Sequence, residues 1–202
     1  MYSSKKISCL TTVIILLCGL LFFYLKFRNT NQLKEIANSK NLKNGDLILR
    51  AGKSTESYLV HLADNSSEFT HIGIIIIERN QPYVIHAVPH KNHTLKKDLL
   101  GDFLDPKKTS SYAIYRSNYT SITLNKVVNE AKNFYVNKYT FDNEYNLNTD
   151  TKLYCSELIL KAFNNVGIHL NVNAKSFNFV IGEHDIIFPS EFTKIPQFSK
   201  II

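Results

Sequence analysis

The segment THIGIIIIERNQPYVIHAV, residues 70–88, contains two apolar runs separated by a short polar stretch. The first run is rich in isoleucine, and the second combines valine and isoleucine with an aromatic residue, a composition that favours buried strands. Only the residues RNQ (79–81) separate the two runs, so a tight turn can connect them. The sequence therefore predicts a β-hairpin made of strands 70–78 and 82–88.

Two histidines interrupt these apolar strands and define the first candidate site. His71 stands at the start of the first strand, and His86 stands near the end of the second. In an antiparallel hairpin these two ends lie side by side, so the two imidazoles can be cross-strand neighbours. A buried imidazole requires a hydrogen-bond partner. The pair is therefore either a chemically active site or two hydrogen-bonded histidines of the core.

Cys155 is a candidate nucleophile. It stands at the start of an amphipathic helix in the segment KLYCSELILKAF, residues 152–163. The N-terminal end of a helix and a nearby histidine can both lower the pKa of a thiol, which provides a thiolate at neutral pH. A cysteine nucleophile also needs a base and a group that orients the base, and His71 and His86 can supply both. The alternative is an inert cysteine packed in the core.

A metal site built on His86, His90 and His93 is a further alternative for the same region. Pro89 interrupts the spacing that ligands on one regular element require. No carboxylate or cysteine lies close by in the sequence to complete such a site. We therefore predict neither a metal ion nor another cofactor.

The remaining patterns predict further strands followed by helices. Strands are expected at 45–51 and 110–117, with a loop and a short helical turn over residues 90–108. From Leu124 onwards the apolar residues recur with a helical period, and a second helix carries Cys155 and ends at Gly167. Strands that come first and helices that come later indicate the α+β class rather than a doubly wound sheet.

The N-terminus carries an uncharged apolar run from Ile7 to Leu25 with basic residues on both sides. About 20 apolar residues span a bilayer, so the run predicts a membrane anchor or a signal peptide. Lipidation at Cys18 is an alternative. We expect residues 1–28 to form this segment, 29–40 a linker and 41–202 one folded domain. The domain is expected to lie outside the cytoplasm, either anchored to a membrane or exported.

The charge and the cysteine content exclude several classes of protein. The formal net charge is +7, but the lysines are scattered among asparagines and acidic residues rather than gathered in one basic block. This pattern does not support a nucleic-acid partner. Two of the three cysteines, Cys9 and Cys18, lie in the N-terminal run, so the folded domain cannot contain an internal disulfide.

Four motifs in this order resemble one known family: NGDLILR (44–50), FTHIGIII (69–76), YVIHAV (83–88) and YCSELILKAF (154–163). They are similar to the permuted papain-like cysteine hydrolases of the YiiX/YebB type, in the NlpC-type superfamily. The resemblance implies an antiparallel sheet or half-barrel packed against helices. It also implies the permuted order, in which the catalytic histidine precedes the cysteine.

The resemblance implies a role for each candidate residue. Cys155 corresponds to the nucleophile and His71 to the general base. His86 occupies the third polar position, where relatives of the YiiX type commonly have a glutamate. Tyr139 is the expected oxyanion donor, with Tyr145 and Tyr154 as alternatives, and the family requires no cofactor.

The predicted activity is the cleavage of an amide bond through a thioester intermediate. A peptidase or amidase that acts on a cell-wall peptide is the first hypothesis. The alternative is a lipid-directed acyltransferase or phospholipase of the lecithin:retinol acyltransferase type. A third hypothesis is a non-catalytic binding module. The expected partners are accordingly a peptide or lipid substrate, and a membrane contacted through residues 7–25.

Overall fold

The computed structural model describes residues 14–21, 24, 41–89, 95–179 and 182–202. The chain divides into two compact units, Met1–Ser39 and Lys40–Ile202, and the elements below belong to the second. Most of the predicted anchor, Ile7–Leu25, lies outside the described residues; 14–21 and 24 are helical. Within the part of the chain that is described, no helix is long and apolar enough to cross a bilayer.

An antiparallel sheet of six strands forms the centre of the domain. The strands lie in the order β4-β3-β2-β1-β5-β8, and each neighbouring pair is antiparallel. A separate two-stranded hairpin consists of β6 and β7. The strands are β1 Leu47–Gly52, β2 His71–Glu78, β3 Gln81–Ala87, β4 Leu95–Leu99, β5 Thr109–Ser117, β6 Lys175–Phe179, β7 Gly182–Ile186 and β8 Phe198–Lys200.

The predicted hairpin is formed by β2 and β3. Arg79 and Asn80 both have positive φ, 50° and 61°, and two consecutive residues in this conformation make the tight turn that matches the twist of paired strands. Ile74 lies opposite Ile85 in the register. Continuing this register places His86 opposite Gly73, so His71 is its diagonal neighbour on the same face.

Two helices cover one face of this sheet. They are α3 (Ser121–Val136) and α4 (Cys155–Asn164), preceded in the chain by α1 (Thr55–Ala63) and α2 (Leu100–Phe103). A 3₁₀ helix, Pro189–Thr193, follows β7. The buried residues of α3 are members of the apolar face that the sequence predicts, and they share one core with alternate residues of β2. The prediction of an α+β fold with an antiparallel sheet packed against helices is therefore confirmed.

Several elements depart from the sequence-based expectation. The segment predicted as a loop, 90–108, contains strand β4 as well as the expected short helix, α2. The strand reads LKKDL, and only its first residue is buried, because it lies at the edge of the sheet. An edge strand with a polar sequence shows no alternation of apolar and polar residues. Helix α1 was also absent from the prediction, and it has no buried residue.

A buried carboxylate joins α1 to the C-terminal part of the chain. Asp64 ends α1 and is 2% exposed. It accepts hydrogen bonds from Lys175 Nζ at 2.6 Å, from Ser66 Oγ at 2.6 Å and from Ser190 Oγ. Burial alone would raise the pKa of Asp64, but these hydrogen bonds outweigh it and lower the pKa to about 2. The carboxylate therefore connects the helix to both the β6–β7 hairpin and the 3₁₀ helix.

Candidate active site

A cavity of about 310 Å³ opens at the end of the sheet where β2 begins and β3 ends. Cys155 and His71 both line it, so the structure brings the predicted nucleophile and base to one site. Helix α1 forms one wall, and the segment that follows β7 forms another. The apolar part of the lining comprises Leu59, Val60, Ala63, Ala87, Val88, Pro89, Phe141, Ile186, Ile187 and Phe188.

Cys155 is the first residue of α4, as predicted. The turn that carries it is fixed by Glu157, whose Oε2 accepts a hydrogen bond from the backbone N–H of Tyr154 at 3.2 Å. The thiol lies near the backbone N–H of Ile72 and near Ser156, whose buried hydroxyl has no hydrogen-bond partner among the described residues. Since Ile72 directly follows His71, the nucleophile lies beside the strand that carries the predicted base.

Burial, not the helix, decides the pKa of the thiol. Burial raises the pKa of Cys155 above its ordinary value, and the polar groups of Ile72 and Ser156 near the thiol only partly offset this. The expectation of a lowered pKa is therefore wrong in direction. Burial also lowers the pKa of His71 well below its ordinary value, assisted by the nearby charges of His86 and Arg50. The resting pair is consequently a neutral thiol and a neutral imidazole.

The two predicted histidines are hydrogen-bonded to each other. His71 Nε2 lies 2.9 Å from His86 Nδ1. His86 Nε2 lies 3.1 Å from Oδ2 of Asp98 on β4. Three side chains on three adjacent strands therefore form one continuous series of hydrogen bonds. It runs from the half-exposed carboxylate of Asp98 to His71, which lines the cavity.

The chain of hydrogen bonds fixes the tautomer of each neutral imidazole. The Asp98 carboxylate can only accept, so His86 Nε2 carries a hydrogen and donates it. His86 Nδ1 is then an acceptor, and His71 must donate from Nε2. The remaining nitrogen of His71, Nδ1, keeps its lone pair. Among the described hydrogen bonds Nδ1 has no partner, which leaves it available as a base on the cavity wall.

Close packing holds the two imidazole rings in place. Phe103 stacks on His71 at a centroid distance of 5.7 Å and contacts His86 edge-on at 4.9 Å. Gly73 lies between the histidines on the same face of the sheet. A Cβ atom at Gly73 would stand 2.5 Å from Cγ1 of Val84 and 3.2 Å from Cβ of His86. The absence of a side chain at this position therefore lets β3, with Val84 and His86, pack closely against β2.

The tyrosine chosen from the sequence is not at the cavity. Tyr139 packs against Phe134 at a centroid distance of 5.0 Å and is absent from the cavity lining. Tyr145 and Tyr154 do line the cavity. The chain turns sharply after α3, with Lys138 at φ 57°, and this turn directs Tyr139 onto the end of α3. The prediction of Tyr139 as the oxyanion donor is therefore not supported by its position.

A buried aspartate holds Tyr145 at the cavity. Tyr145 has φ 52°, a left-handed conformation that is rare for a bulky residue. Asp142 is fully buried and accepts hydrogen bonds from the backbone N–H groups of Glu144 at 3.0 Å and Asn146 at 2.5 Å. Burial raises the pKa of Tyr145 to about 12, assisted by the charge that a Cys155 thiolate would carry and by the carboxylate of Asp142. Its hydroxyl therefore stays protonated at neutral pH.

Sequence reasoning missed two charged residues of the site. Asp98 stands in a polar segment that shows no strand periodicity, and only the pairing of β4 with β3 brings it to His86. Arg50 ends the motif NGDLILR, lies opposite His71 in the register of β1 and β2, and lines the cavity. In the sequence, the one indication of a role for Arg50 is that a charged residue ends a strand predicted to be buried.

Two of the three ligands of the alternative metal site, His90 and His93, lie outside the described residues. Among the described residues, no group of three or more histidine, cysteine, aspartate or glutamate side chains is arranged to hold a metal ion. Both ring nitrogens of His86 are engaged in hydrogen bonds.

Comparison with known families decides the assignment of the chain. A family model described as a permuted papain-like amidase enzyme of the YaeF/YiiX, C92 family matches residues 41–202. The chain belongs to this C92 family. One curated relative, the uncharacterized protein YiiX of Escherichia coli strain K12, is 24% identical over 156 residues, which cover 76% of this chain and 71% of the relative.

A solved structure shows the same fold. The crystal structure of the metalloprotein YiiX from Escherichia coli O157:H7 aligns with a TM-score of 0.65 and 19% identity, over 79% of this chain and 96% of that one. The predicted resemblance to the permuted papain-like hydrolases is confirmed by the family match and by this neighbour. The chain is thus a C92 family member, and the family is one of papain-like amidases.

The buried histidines predict that acid destabilises the domain. Burial lowers the pKa of His71 and His86 below the value of about 6.5 that they have in the unfolded chain. The unfolded state therefore binds more protons as the pH falls below about 6.5, and the free energy of unfolding decreases. The expected slope is about 1.4 kcal/mol per pH unit for each histidine, until its folded-state pKa is reached.

Urea unfolding between pH 8 and pH 4 measures this slope. The variant His71→Gln/His86→Gln, which cannot titrate at these positions, is the control and should show a flatter profile. The carboxylate of Asp64 contributes to the slope only at lower pH, since its stabilisation is lost as the pH falls from its ordinary pKa of 3.8 to about 2. Equal slopes in the two proteins between pH 6.5 and pH 4 would contradict the prediction.

Proposed function

We propose that this chain is a cysteine amidase in which Cys155 is the nucleophile and His71 the general base. The observation that carries the proposal is the polar chain Asp98–His86–His71, which ends at the cavity lined by Cys155. Such a chain orients a base, fixes its tautomer and stabilises the imidazolium that forms during the reaction. The family match supports amide cleavage as the class of reaction.

In the proposed mechanism the thiol proton moves to His71 Nδ1 as Cys155 Sγ bonds to the carbonyl carbon. The raised pKa of the thiol and the lowered pKa of His71 keep both neutral before substrate binds. The carbonyl oxygen becomes an oxyanion. The C–N bond then breaks, and the amine leaves with the proton from His71. Water, deprotonated by His71, attacks the thioester, which releases the carboxylic acid and restores the thiol.

We assign stabilisation of the oxyanion to the backbone N–H of Cys155 and the hydroxyl of Tyr145. The first lies at the N-terminal end of α4, where helical N–H groups have no partner within the helix. Tyr145 replaces Tyr139 in this role because it lines the cavity and stays protonated at neutral pH. Removing one oxyanion donor typically lowers the rate by about 10²–10³.

Mass spectrometry of the purified chain tests the proposal. The protein is incubated with cell-wall stem peptides and with N-acyl amino acid amides, then quenched in acid. We expect the peptide that contains Cys155 to gain the mass of the acyl group of the substrate, and the amine of the substrate to be released. The variant Cys155→Ala should show neither, and Tyr145→Phe should react more slowly than Tyr139→Phe. Amide cleavage that persists in Cys155→Ala would overturn the proposal.

A second candidate is an amidase for lipid-like amides that carry an apolar acyl chain. The observation that favours it is the apolar cavity wall, which continues onto the exposed residues of α1. Leu59 lines the cavity and is 56% exposed, and Tyr58 and Leu62 beside it are 61% and 59% exposed. Comparing N-acyl substrates of two to twelve carbons tests it: kcat/KM that rises with chain length supports a lipid-like substrate, and a flat profile contradicts one.

We also propose that residues 7–25 hold the domain at a membrane or direct its export, with residues 41–202 outside the cytoplasm. The long uncharged run with basic flanks supports this location. Protease treatment of intact cells tests it. Digestion of the domain in intact cells is expected, and a domain that is protected until the membrane is opened would refute the proposal.

A further inference from the structure

Arg50 places a positive charge in a cavity whose lining is largely apolar and also includes the carboxylate of Glu56 on α1. It lies on β1 directly opposite His71 and lines the same cavity as Cys155. Its charge interacts favourably with the carboxylate of Asp98 and would do so with a thiolate at Cys155, and it contributes to the lowered pKa of His71. Neither the proposed acyl transfer nor the hydrogen-bonded chain of histidines uses this guanidinium.

The positive charge of Arg50 has no ion-pair partner among the described residues. The ion pairs of this part of the chain involve other cations. Nη1 donates to the backbone oxygen of Phe103, and the guanidinium stacks on the Phe103 ring at 4.3 Å. Nε is buried without a hydrogen-bond partner. Burying a cation without a carboxylate costs free energy, which an anionic ligand would recover.

The stacking on Phe103 gives Arg50 a defined orientation. A planar guanidinium held on an aromatic ring keeps its remaining donors in one plane, which suits the two oxygens of a carboxylate or phosphate. A purely structural contact with Phe103 would not require a charge, because an apolar side chain packs on the same ring. The position of the charge on the wall of the cavity distinguishes a binding role from packing.

We propose that Arg50 binds an anionic group of the substrate, so that the enzyme acts on amides that carry a carboxylate or phosphate near the scissile bond. This inference rests on the proposed function and specifies its substrate class. An amide with an apolar acyl group and a nearby anion matches both the apolar walls and the single guanidinium. Arg50 is then a specificity residue, distinct from the groups that transfer protons.

The charge selectivity of Cys155 alkylation tests this assignment without a known substrate. Iodoacetate carries a carboxylate and iodoacetamide is its neutral counterpart. The full chain is used, and modification is measured on the peptide that contains Cys155, since Cys9 and Cys18 also carry thiols. We expect Arg50→Met to lower the ratio of the iodoacetate rate to the iodoacetamide rate by about tenfold or more, the factor for one lost charge-assisted hydrogen bond.

Two controls separate charge recognition from other effects. Lys53→Met removes an equal charge three residues away, on an exposed side chain whose Nζ donates to the backbone oxygen of Pro106 at 2.7 Å; it should leave the ratio unchanged. Arg50→Lys keeps the charge but loses the planar guanidinium, so its ratio should fall between those of the unaltered protein and Arg50→Met. A structural role for Arg50 would slow both reagents equally, and an unchanged ratio in Arg50→Met overturns the proposal.

Protection experiments on the unaltered protein give an independent answer and identify the anion. Hexanoate, hexyl phosphate and hexanol share an apolar tail and differ in charge. We expect the anions, and not hexanol, to slow alkylation of Cys155 by iodoacetamide, and the stronger of the two identifies carboxylate or phosphate. Equal effects of all three overturn the proposal. If Cys155 proves unreactive, that result counts against the amidase function and not against anion binding. Calorimetry of the same three ligands then tests whether Arg50 binds an anion.

Discussion

Replacing His86 with leucine is expected to lower the rate of amide hydrolysis by at least about a hundredfold, whereas His86→Gln should retain much of it. His86 Nδ1 accepts the hydrogen of His71 Nε2. Leucine offers no acceptor, so the hydrogen of His71 can move to Nδ1 and remove the lone pair that the proposed mechanism uses as the base. General-base catalysis typically contributes about 10²–10⁴ to a rate.

Glutamine is the matched control because its side chain can make both hydrogen bonds of His86. Its carbonyl oxygen can accept from His71, and its amide nitrogen can donate to Asp98. The rates of amide hydrolysis and of Cys155 alkylation by iodoacetamide are both measured, with thermal unfolding as a check on the fold. Equal loss in the two variants would show that the imidazole ring, rather than the direction of the hydrogen bonds, matters.

Replacing Arg116 with methionine is expected to lower the free energy of unfolding by about 3 kcal/mol. Arg116 binds the fully buried Asp46 with two hydrogen bonds, Nε to Oδ1 at 2.8 Å and Nη2 to Oδ2 at 2.7 Å. Removing the cation leaves a buried carboxylate without its charge partner, a change that typically costs about 3–5 kcal/mol. The side chain of Arg116 is 25% exposed, which places the expected cost at the lower end.

Urea unfolding at pH 7 measures this cost, and two variants control for it. Asp46→Asn/Arg116→Met removes both charges and should be more stable than Arg116→Met alone. Lys97→Met breaks an ion pair with Glu78 that lies at 2.7 Å on partly exposed side chains, where a loss of less than about 1 kcal/mol is expected. Similar losses in Arg116→Met and Lys97→Met would contradict the prediction.

The histidine pair could be predicted from the sequence because its signal is local. Two imidazoles in apolar strands joined by three residues have few arrangements, and the hairpin brings them together through its own register. The helix that begins at Cys155 was predictable for the same reason, since its apolar period lies within one segment; it ends at Asn164 rather than at the predicted Gly167. Elements that depend only on residues close together in the chain can be predicted from one sequence.

The other parts of the site depend on contacts that the sequence does not display. Asp98 reaches His86 from an edge strand whose residues are mostly exposed. The choice between Tyr139 and Tyr145 depends on the turn at Lys138 and on the carboxylate of Asp142. The direction of the thiol pKa depends on how deeply the domain buries Cys155. Each is a property of the assembled fold rather than of a local pattern.

The hydrogen bonds of Asp64 link two walls of the cavity to each other. Helix α1 and the segment around Phe188 form two of its walls, and they are separated by more than a hundred residues in the chain. Asp64, at the end of α1, binds Lys175 and Ser190 on either side of that segment. The two walls are therefore expected to detach together, so that access to Cys155 opens as one cooperative event and not by independent fluctuation of two loops.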